Sequence, residues 1–359
     1  MKCTSSITRY VALAGVAAFA FASLPALEAG ADEITVASWG GAYSMSQREA
    51  YYKPYMAETG VTVLEDEWSG ELSQIRVQVE TGNYKWNVVD VETDHVLAGC
   101  DEGVLERIDW EALGGMERFV NGAANECGVG TISWATIYSY DADNLPAGWN
   151  GQTPTTMADF FDVAKFPGKR GMYKSPKFNL EFALIADGVP AAEVYKALSE
   201  PGGIDRAFAK LDTIKDSVVW WEAGAQAPQL LADKQVAMTT AWNGRIFGAN
   251  KDDGRHFVIV WDGQGTDYDW WVIPKGHPDK AKALAFIIYA SRPDVMMNQS
   301  KYISYGPTVK EAMPLINPDI LKDLPTAPDN TKNWFWVDGQ WWADRREELT
   351  ERFTAWLAQ

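Results

Sequence analysis

The chain has 359 residues, 47% of them hydrophobic, and carries a formal charge of −17, with 49 acidic against 32 basic side chains. That length and apolar content can bury a large core divided between two lobes. So acidic a surface argues against nucleic acid and anionic lipid and favours approach by cations, although acidity serves solubility equally well. Tryptophan, at 17, outnumbers phenylalanine and tyrosine, at 14 each; a buried indole needs a partner for its N–H, so several are expected to line a site.

Taken in chain order, Lys2 and Arg9 precede an apolar stretch from Val11 to Leu24, and Ala29-Gly30-Ala31 offers a small-residue cleavage site. This is the pattern of a secretory signal peptide over residues 1–31, which places the mature protein in the periplasm. Ser23, Pro25 and Glu28 interrupt the stretch before the roughly 20 apolar residues that a spanning helix needs. Cys3 is expected to leave with the peptide. Cys100 and Cys127 remain as an even pair with no metal-ligand spacing, so a disulfide closing a loop of about 27 residues is expected. His95, His256 and His277 are isolated from one another, which argues against a histidine metal centre, and each reads as a surface or capping residue.

Glu33 to Ser38 alternates as a strand and ends in Trp39-Gly40-Gly41-Ala42-Tyr43, a turn that caps a helix from about Met45 to Glu58, stopped by Gly60. Val61 to Asp66 reads as a strand, Leu72, Ile75 and Val79 as a helix, and Trp86 to Val91 as a third strand. This β-α-β-α-β opening predicts a mostly parallel sheet covered by helices. Ligands of such sheets sit beyond the carboxyl ends of the strands. By position, that makes Trp39, Tyr43, Glu92 and Asp94 candidates, against hinge packing for the aromatics and helix capping for the acids. Val129 to Tyr140 is a strand, and the α/β alternation then repeats through Val218 to Glu222 and Val236 to Ala241. The chain returns through a strand Phe257 to Trp261, a Gly/Asp-rich crossing Asp262 to Asp269, a strand Trp270 to Ile273 and a helix Pro278 to Ala290. The last helix puts Leu349, Phe353, Trp356 and Leu357 on one face and pairs Glu348 with Arg352 at i,i+4. The expected plan is lobe 1 over 32–140 and 266–304, lobe 2 over 141–265, and a segment 305–359 strapping them together.

Between Ala241 and Pro274 the sequence gathers Trp242, Arg245, Asp267, Asp269 and Trp270. Flat aromatic faces with opposite charges suit gripping a small polar ligand, and no nucleophile with its base is present. Asp267 and Asp269, two apart on one segment, are poorly placed to act as the carboxylate pair of an exported hydrolase. Tyr51-Tyr52, the only hint of a ferric-iron carrier, lie in a predicted helix with no histidine near them. An enzyme is therefore not expected, nor a cofactor.

Ser38-Trp39-Gly40-Gly41-Ala42-Tyr43, Trp86-Asn87-Val88-Val89-Asp90, Trp134-Ala135-Thr136, Trp242-Asn243-Gly244-Arg245 and Ser304-Tyr305-Gly306-Pro307 occur in an order that resembles the extracellular solute-binding proteins of ABC importers, in particular the spermidine/putrescine-binding type. The resemblance implies a type II periplasmic-binding-protein fold, two α/β lobes closing about a hinge on a ligand cleft. It also implies a monomer that delivers a small amine-bearing ligand to a membrane permease. Carried over by position, Trp39, Tyr43 and Trp242 would flank the ligand, Asp269 would hold an ammonium group, and Tyr305 would stand at the late aromatic position. Glu92, Asp267 and Trp336, the last in the aromatic run of the tail, complete the candidate set. A polyamine is the first expectation. Two departures open another: Lys174-Ser175-Pro176-Lys177-Phe178 supplies no second-lobe acid, and Arg245 is suited to forking onto a carboxylate. If Arg245 faces the cleft, a zwitterionic ω-amino acid such as γ-aminobutyrate fits better; if it pairs with Asp267 or another acid, the polyamine stands.

Overall fold

A computed structural model describes residues 32–359 together with Met1, so the expected signal peptide and Cys3 lie outside the described residues. Eleven strands are present among the described residues: β1 (Glu33–Ser38), β2 (Thr62–Glu67), β3 (Val88–Glu92), β4 (Ala124–Asn125), β5 (Gly128–Asp141), β6 (Arg170–Tyr173), β7 (Val218–Trp221), β8 (Met238–Trp242), β9 (Phe257–Val272), β10 (Gly306–Pro307) and β11 (Trp334–Trp336). They run in the order β2-β1-β3-β9-β5-β8-β6-β7, with β4 and β10 on β5 and β11 on β9. The outer strands pair in parallel, β1 with β2 and β3, and β6 with β7 and β8. That is the geometry the alternating helices impose.

β5 and β9 are antiparallel to each other and span both halves of the sheet, with register shifts between Gly130 and Ile132 and between Thr136 and Tyr138. Asp262 to Asp269 is therefore part of one continuous strand of 16 residues, not a loop between two strands. Gly263, at φ 74°, absorbs the second irregularity; of the aspartates that looked like turn residues, Asp267 and Asp269 are buried with polar partners, and the half-buried Asp262 accepts the Met157 N–H at 2.9 Å.

Two buried cores share this pair of long strands, one toward each end. Ile34, Val36, Val88, Val91, Trp271 and Phe286 belong to one, and Ile137, Phe160, Leu184, Trp221 and Ile246 to the other; Trp39 packs against both. The first helix begins at Gly41, earlier than expected, because Gly40 takes φ 68° at the turn, and it runs through a π-helical turn Arg48–Tyr52 before ending at Thr59. The wider turn lets neighbouring Tyr51 and Tyr52 both point inward, Tyr51 against Trp271 and Tyr52 against Phe286. The Cys100–Cys127 disulfide is formed, with Cα atoms 5.7 Å apart, and ties the end of helix Thr93–Asp101 to the start of β5.

The closing helix Arg346–Leu357 buries Leu349, Phe353 and Trp356 in the second core. Arg352 pairs with Asp205 at 2.6 Å, a partner from another element in place of Glu348. Of the histidines, His256 is exposed beside Asp143 and His277 accepts the Asp279 N–H at 3.0 Å. His95 departs from expectation: it is fully buried between Trp39 and Trp68, its Nε2 2.7 Å from the Gly70 carbonyl oxygen.

Candidate functional site

A cavity of about 250 Å³ opens where the carboxyl ends of β1, β3 and β8 meet the long strands, lined by Trp39, Tyr43, Glu92, Trp134, Trp242, Arg245, Asp269 and Tyr305. Mostly aromatic walls with a few convergent charged groups are the make-up of a small-molecule site.

Trp242 ends β8 and Arg245 lies in the first turn of helix Asn243–Asp252. Asn243 fixes this turn by accepting the Ala135 N–H at 2.9 Å and donating to the Ser304 carbonyl at 2.8 Å. Gly244 is required by close approach, since a Cβ there would lie 2.5 Å from Ile303 and 2.6 Å from Tyr305. The Arg245 guanidinium lies 5.4 Å from the Trp242 ring centroid and 5.8 Å from that of Tyr43. Its Nη2 donates to the Trp39 carbonyl at 3.3 Å, but the buried Nε and Nη1 have no partner. No ion pair to Arg245 is found among the described residues.

Opposite stand the acids. Asp269 accepts the Trp134 indole N–H at 2.7 Å and faces Glu92 across the β3–β9 pairing. Asp90, behind the wall, accepts from Trp39 at 3.1 Å, Tyr43 at 2.9 Å and Gln47 at 2.7 Å, and so sets the angle of both aromatic walls. Burial pushes the Asp90 carboxyl up to about 7, against the hydrogen bonds it accepts. Burial, then repulsion from Asp90 and Glu92, drives Asp269 well above the carboxylate range. The Asp90–Asp269 pair thus keeps a proton into the neutral range.

Asp267 stands apart. It accepts from Thr93 and lies 2.8 Å from Lys177 Nζ, whose other neighbours are Glu92 at 2.9 Å and Asp94 at 2.7 Å. Burial alone would lower the Lys177 ammonium, but the pull of Asp267, Asp94 and Glu92 overrides it and raises it. Burial pushes Asp267 up to about 6 against the pull of Lys177. Arg346 adds 3.0 Å contact with Glu92 and a hydrogen bond to Asp94; against the cost of burial, Lys177 and Arg346 together hold both acids low. Ligand atoms of Glu92, Asp94 and His95 come within 4.8 Å of one another, but these two cations already match the carboxylate charge. Burial, then Arg346, pushes the His95 imidazole down to about 4.

Of the residues singled out from sequence, the structure brings together Trp39, Tyr43, Glu92, Trp242, Arg245, Asp269 and Tyr305 around one cavity. Asp267 sits in the Lys177 cluster outside that lining. Trp336 lies on β11, partly exposed and stacked on Tyr268 at 4.7 Å; pairing with the edge of β9 carries it away from the cleft. Sequence reasoning passed over Asp90 and Trp134. Asp90 could have been found, because strand alternation puts it on the same face as Glu92.

The chain belongs to the bacterial extracellular solute-binding proteins, the receptors of ABC importers, whose family model matches residues 50–329. It is 43% identical to the gamma-aminobutyric acid-binding protein of Pseudomonas aeruginosa over 341 residues, 95% of each chain. The solved structure of the Atu4243 GABA receptor superposes with a TM-score of 0.79 at 34% identity, over 91% of this chain and 98% of that one. The spermidine/putrescine-binding periplasmic protein of Escherichia coli is 22% identical over 299 residues, 79% of this chain and 81% of its own length. The spermidine/putrescine subtype is thus a distant likeness, and the family is the firmer statement.

Proposed function

We propose that this protein is the periplasmic receptor for a zwitterionic ω-amino acid of the γ-aminobutyrate type, which it holds between two lobes and passes to a membrane permease. The observation that carries the reading is Arg245, which lines the cavity with two buried N–H-bearing atoms unpartnered. These two N–H groups face opposite sides of the guanidinium, so a ligand carboxylate would take one of them in a charge-assisted hydrogen bond rather than fork onto both. Asp269 is placed to take the ammonium group, with Trp39, Tyr43 and Trp242 against the methylene chain. The named specificity of the Pseudomonas aeruginosa relative supports the same ligand class. The polyamine expectation required Arg245 to be neutralised by an acid such as Asp267, and Asp267 lies against Lys177 instead. Residues 1–31 act in this reading as the export signal. Lobe 1 (32–140 and 266–304) and lobe 2 (141–265) close by bending at the irregular pairings of β5 and β9.

The test is calorimetric titration of ligand-stripped protein with γ-aminobutyrate, putrescine and spermidine in parallel. Binding of the amino acid that is abolished by Arg245→Ala is expected. Tight binding of a polyamine with no response to the amino acid would overturn the reading.

A further inference from the structure

Lys177 is a buried cation with no role yet in ligand capture. Its side chain is 3% exposed and its Nζ has three carboxylate neighbours, Glu92, Asp94 and Asp267, at 2.7–2.9 Å. The acids come from β3, the helix after it and β9, whereas Lys177 arrives from the segment between β6 and helix Asn179–Ala186. Its neighbour Phe178 is held at φ 69°, a conformation that non-glycine residues rarely adopt. Its ring packs against Trp134 at 5.5 Å and closes on Gly265, where a Cβ would come within 2.7 Å. A strained turn persists only where its surroundings over-determine it, so the approach of Lys177 to the acids is firmly set.

The ammonium also stands where the ligand cavity would continue. Glu92 lines that cavity and touches Lys177, and an adjoining cleft of about 710 Å³ shares Trp39, Glu92 and Trp242 with it and has Lys177 in its wall. Asp267 and Asp269 are two residues apart on β9, on one face by strand alternation and about 6.5–7 Å apart by strand rise. The two nitrogens of an extended butane- or pentanediamine have much the same separation.

We propose that Lys177 is the specificity-determining residue of the cleft: its ammonium occupies an acidic subsite that would otherwise take the second ammonium of a diamine, so the site admits one cationic group only. The inference rests on the amino-acid reading for the place of the first ammonium, beside Asp269. It explains why five buried acids, Asp90, Glu92, Asp94, Asp267 and Asp269, do not make this a polyamine site. The chain carries its own second ammonium, tethered by a covalent bond and therefore present at any ligand concentration.

Wild type, Lys177→Met and Lys177→Met/Asp267→Asn are titrated with γ-aminobutyrate, 1,4-butanediamine and 1,5-pentanediamine, and their melting is followed with each. The wild type is expected to ignore both diamines, and Lys177→Met to bind one of them at least tenfold more tightly than the wild type does. Because the single variant leaves buried acids uncompensated, the double variant restores the cluster's net charge while keeping Glu92 and Asp94 for the incoming ammonium. If either variant fails to fold alone, recovery by refolding in millimolar diamine is the expected result. Folded variants that ignore both diamines, unfolded ones that no diamine rescues, or a wild type that already binds a diamine would overturn the proposal. A wild type silent to γ-aminobutyrate beside variants that gain diamine binding would sink the amino-acid reading and leave the role of Lys177 standing.

Discussion

The guanidinium of Arg245 lies 5.4 Å from the Trp242 ring centroid, buried, and forms no ion pair with any carboxylate among the described residues. A desolvated cation is costly when unpartnered, and in the proposed reading a ligand carboxylate supplies that partner. Arg245→Ala is accordingly expected to separate binding from stability. Losing a buried charge-assisted pair costs about 2–5 kcal/mol, or roughly 30- to 5,000-fold in affinity. The ligand-free variant should melt no more than a few degrees below the wild type. Calorimetry and a thermal melt on the same preparation check this; a large stability loss with intact affinity would place Arg245 in the scaffold.

The disulfide makes a prediction of the opposite kind. Cys100 and Cys127 are 27 residues apart and lie away from the residues lining the cavity. Loop-closure entropy assigns the crosslink about 3.5 kcal/mol, whereas ligand affinity should change less than about twofold. Urea unfolding of the oxidised and reduced protein, with titration of each, tests the split.

Much of the scaffold was legible because its signals are local. β1 is bounded as the alternation of Glu33 to Ser38 implies, and Val129 to Tyr140 falls within β5. The Trp-Asn-Gly-Arg turn was conspicuous because Gly244 and Asn243 serve close packing there. What the chain hides is partnership over long separations. Lys177 meets Asp267 across 90 residues and Arg346 meets Asp94 across 252. Without those partners Asp262 to Asp269 looks like a polar loop. For the same reason Trp336 and Trp134 could not be ranked from sequence, since strand alternation fixes which residues share a face but only the register of β11 and β5 on β9 says which face meets the cleft.

Arg346 bonds the closing helix to Glu92 and Asp94, while the same helix buries Phe353 and Trp356 in the other core. Arg346→Met should therefore loosen the strap and flatten the dependence of stability on acid. Glu92 and Asp94 are held below their ordinary range despite burial, so their contribution is present above the unfolded carboxylate pKa of about 4 and is lost as pH falls through the lower folded values. The variant loses about 1–3 kcal/mol near neutrality, less than for a fully buried pair because Arg346 is partly exposed. Its deficit relative to the wild type should shrink as pH drops below about 4. Denaturant melts at several pH values measure both; a deficit that does not change with pH would count against the ion-pair account.

Asp90 and Asp269 give the cleft a dependence on pH of opposite sign. Their protons are retained upward, Asp90 to about 7, because burial disfavours the charge of both and Asp90 repels the charge of Asp269, while a hydrogen bond from Asp269 holds Asp90 the lower of the two. Raised acids contribute stability that is fully present below about pH 4 and is lost as pH rises through the folded value. The ligand-free protein should therefore lose stability from this pair between about pH 4 and 7. An alkylammonium ligand reverses the preference: like a lysine side chain, it stays charged to about pH 10, and beside Asp269 it favours the ionised pair. Binding below pH 7 should release a proton, and affinity should climb by up to about tenfold per pH unit before levelling above neutrality. Titration in buffers of different ionisation enthalpy reads the proton count directly. Tyr43 is driven further from titration by burial and by Asp90, so it does not supply the signal. A proton count of zero from pH 5.5 to 7 would mean that the ammonium group is held elsewhere in the cleft.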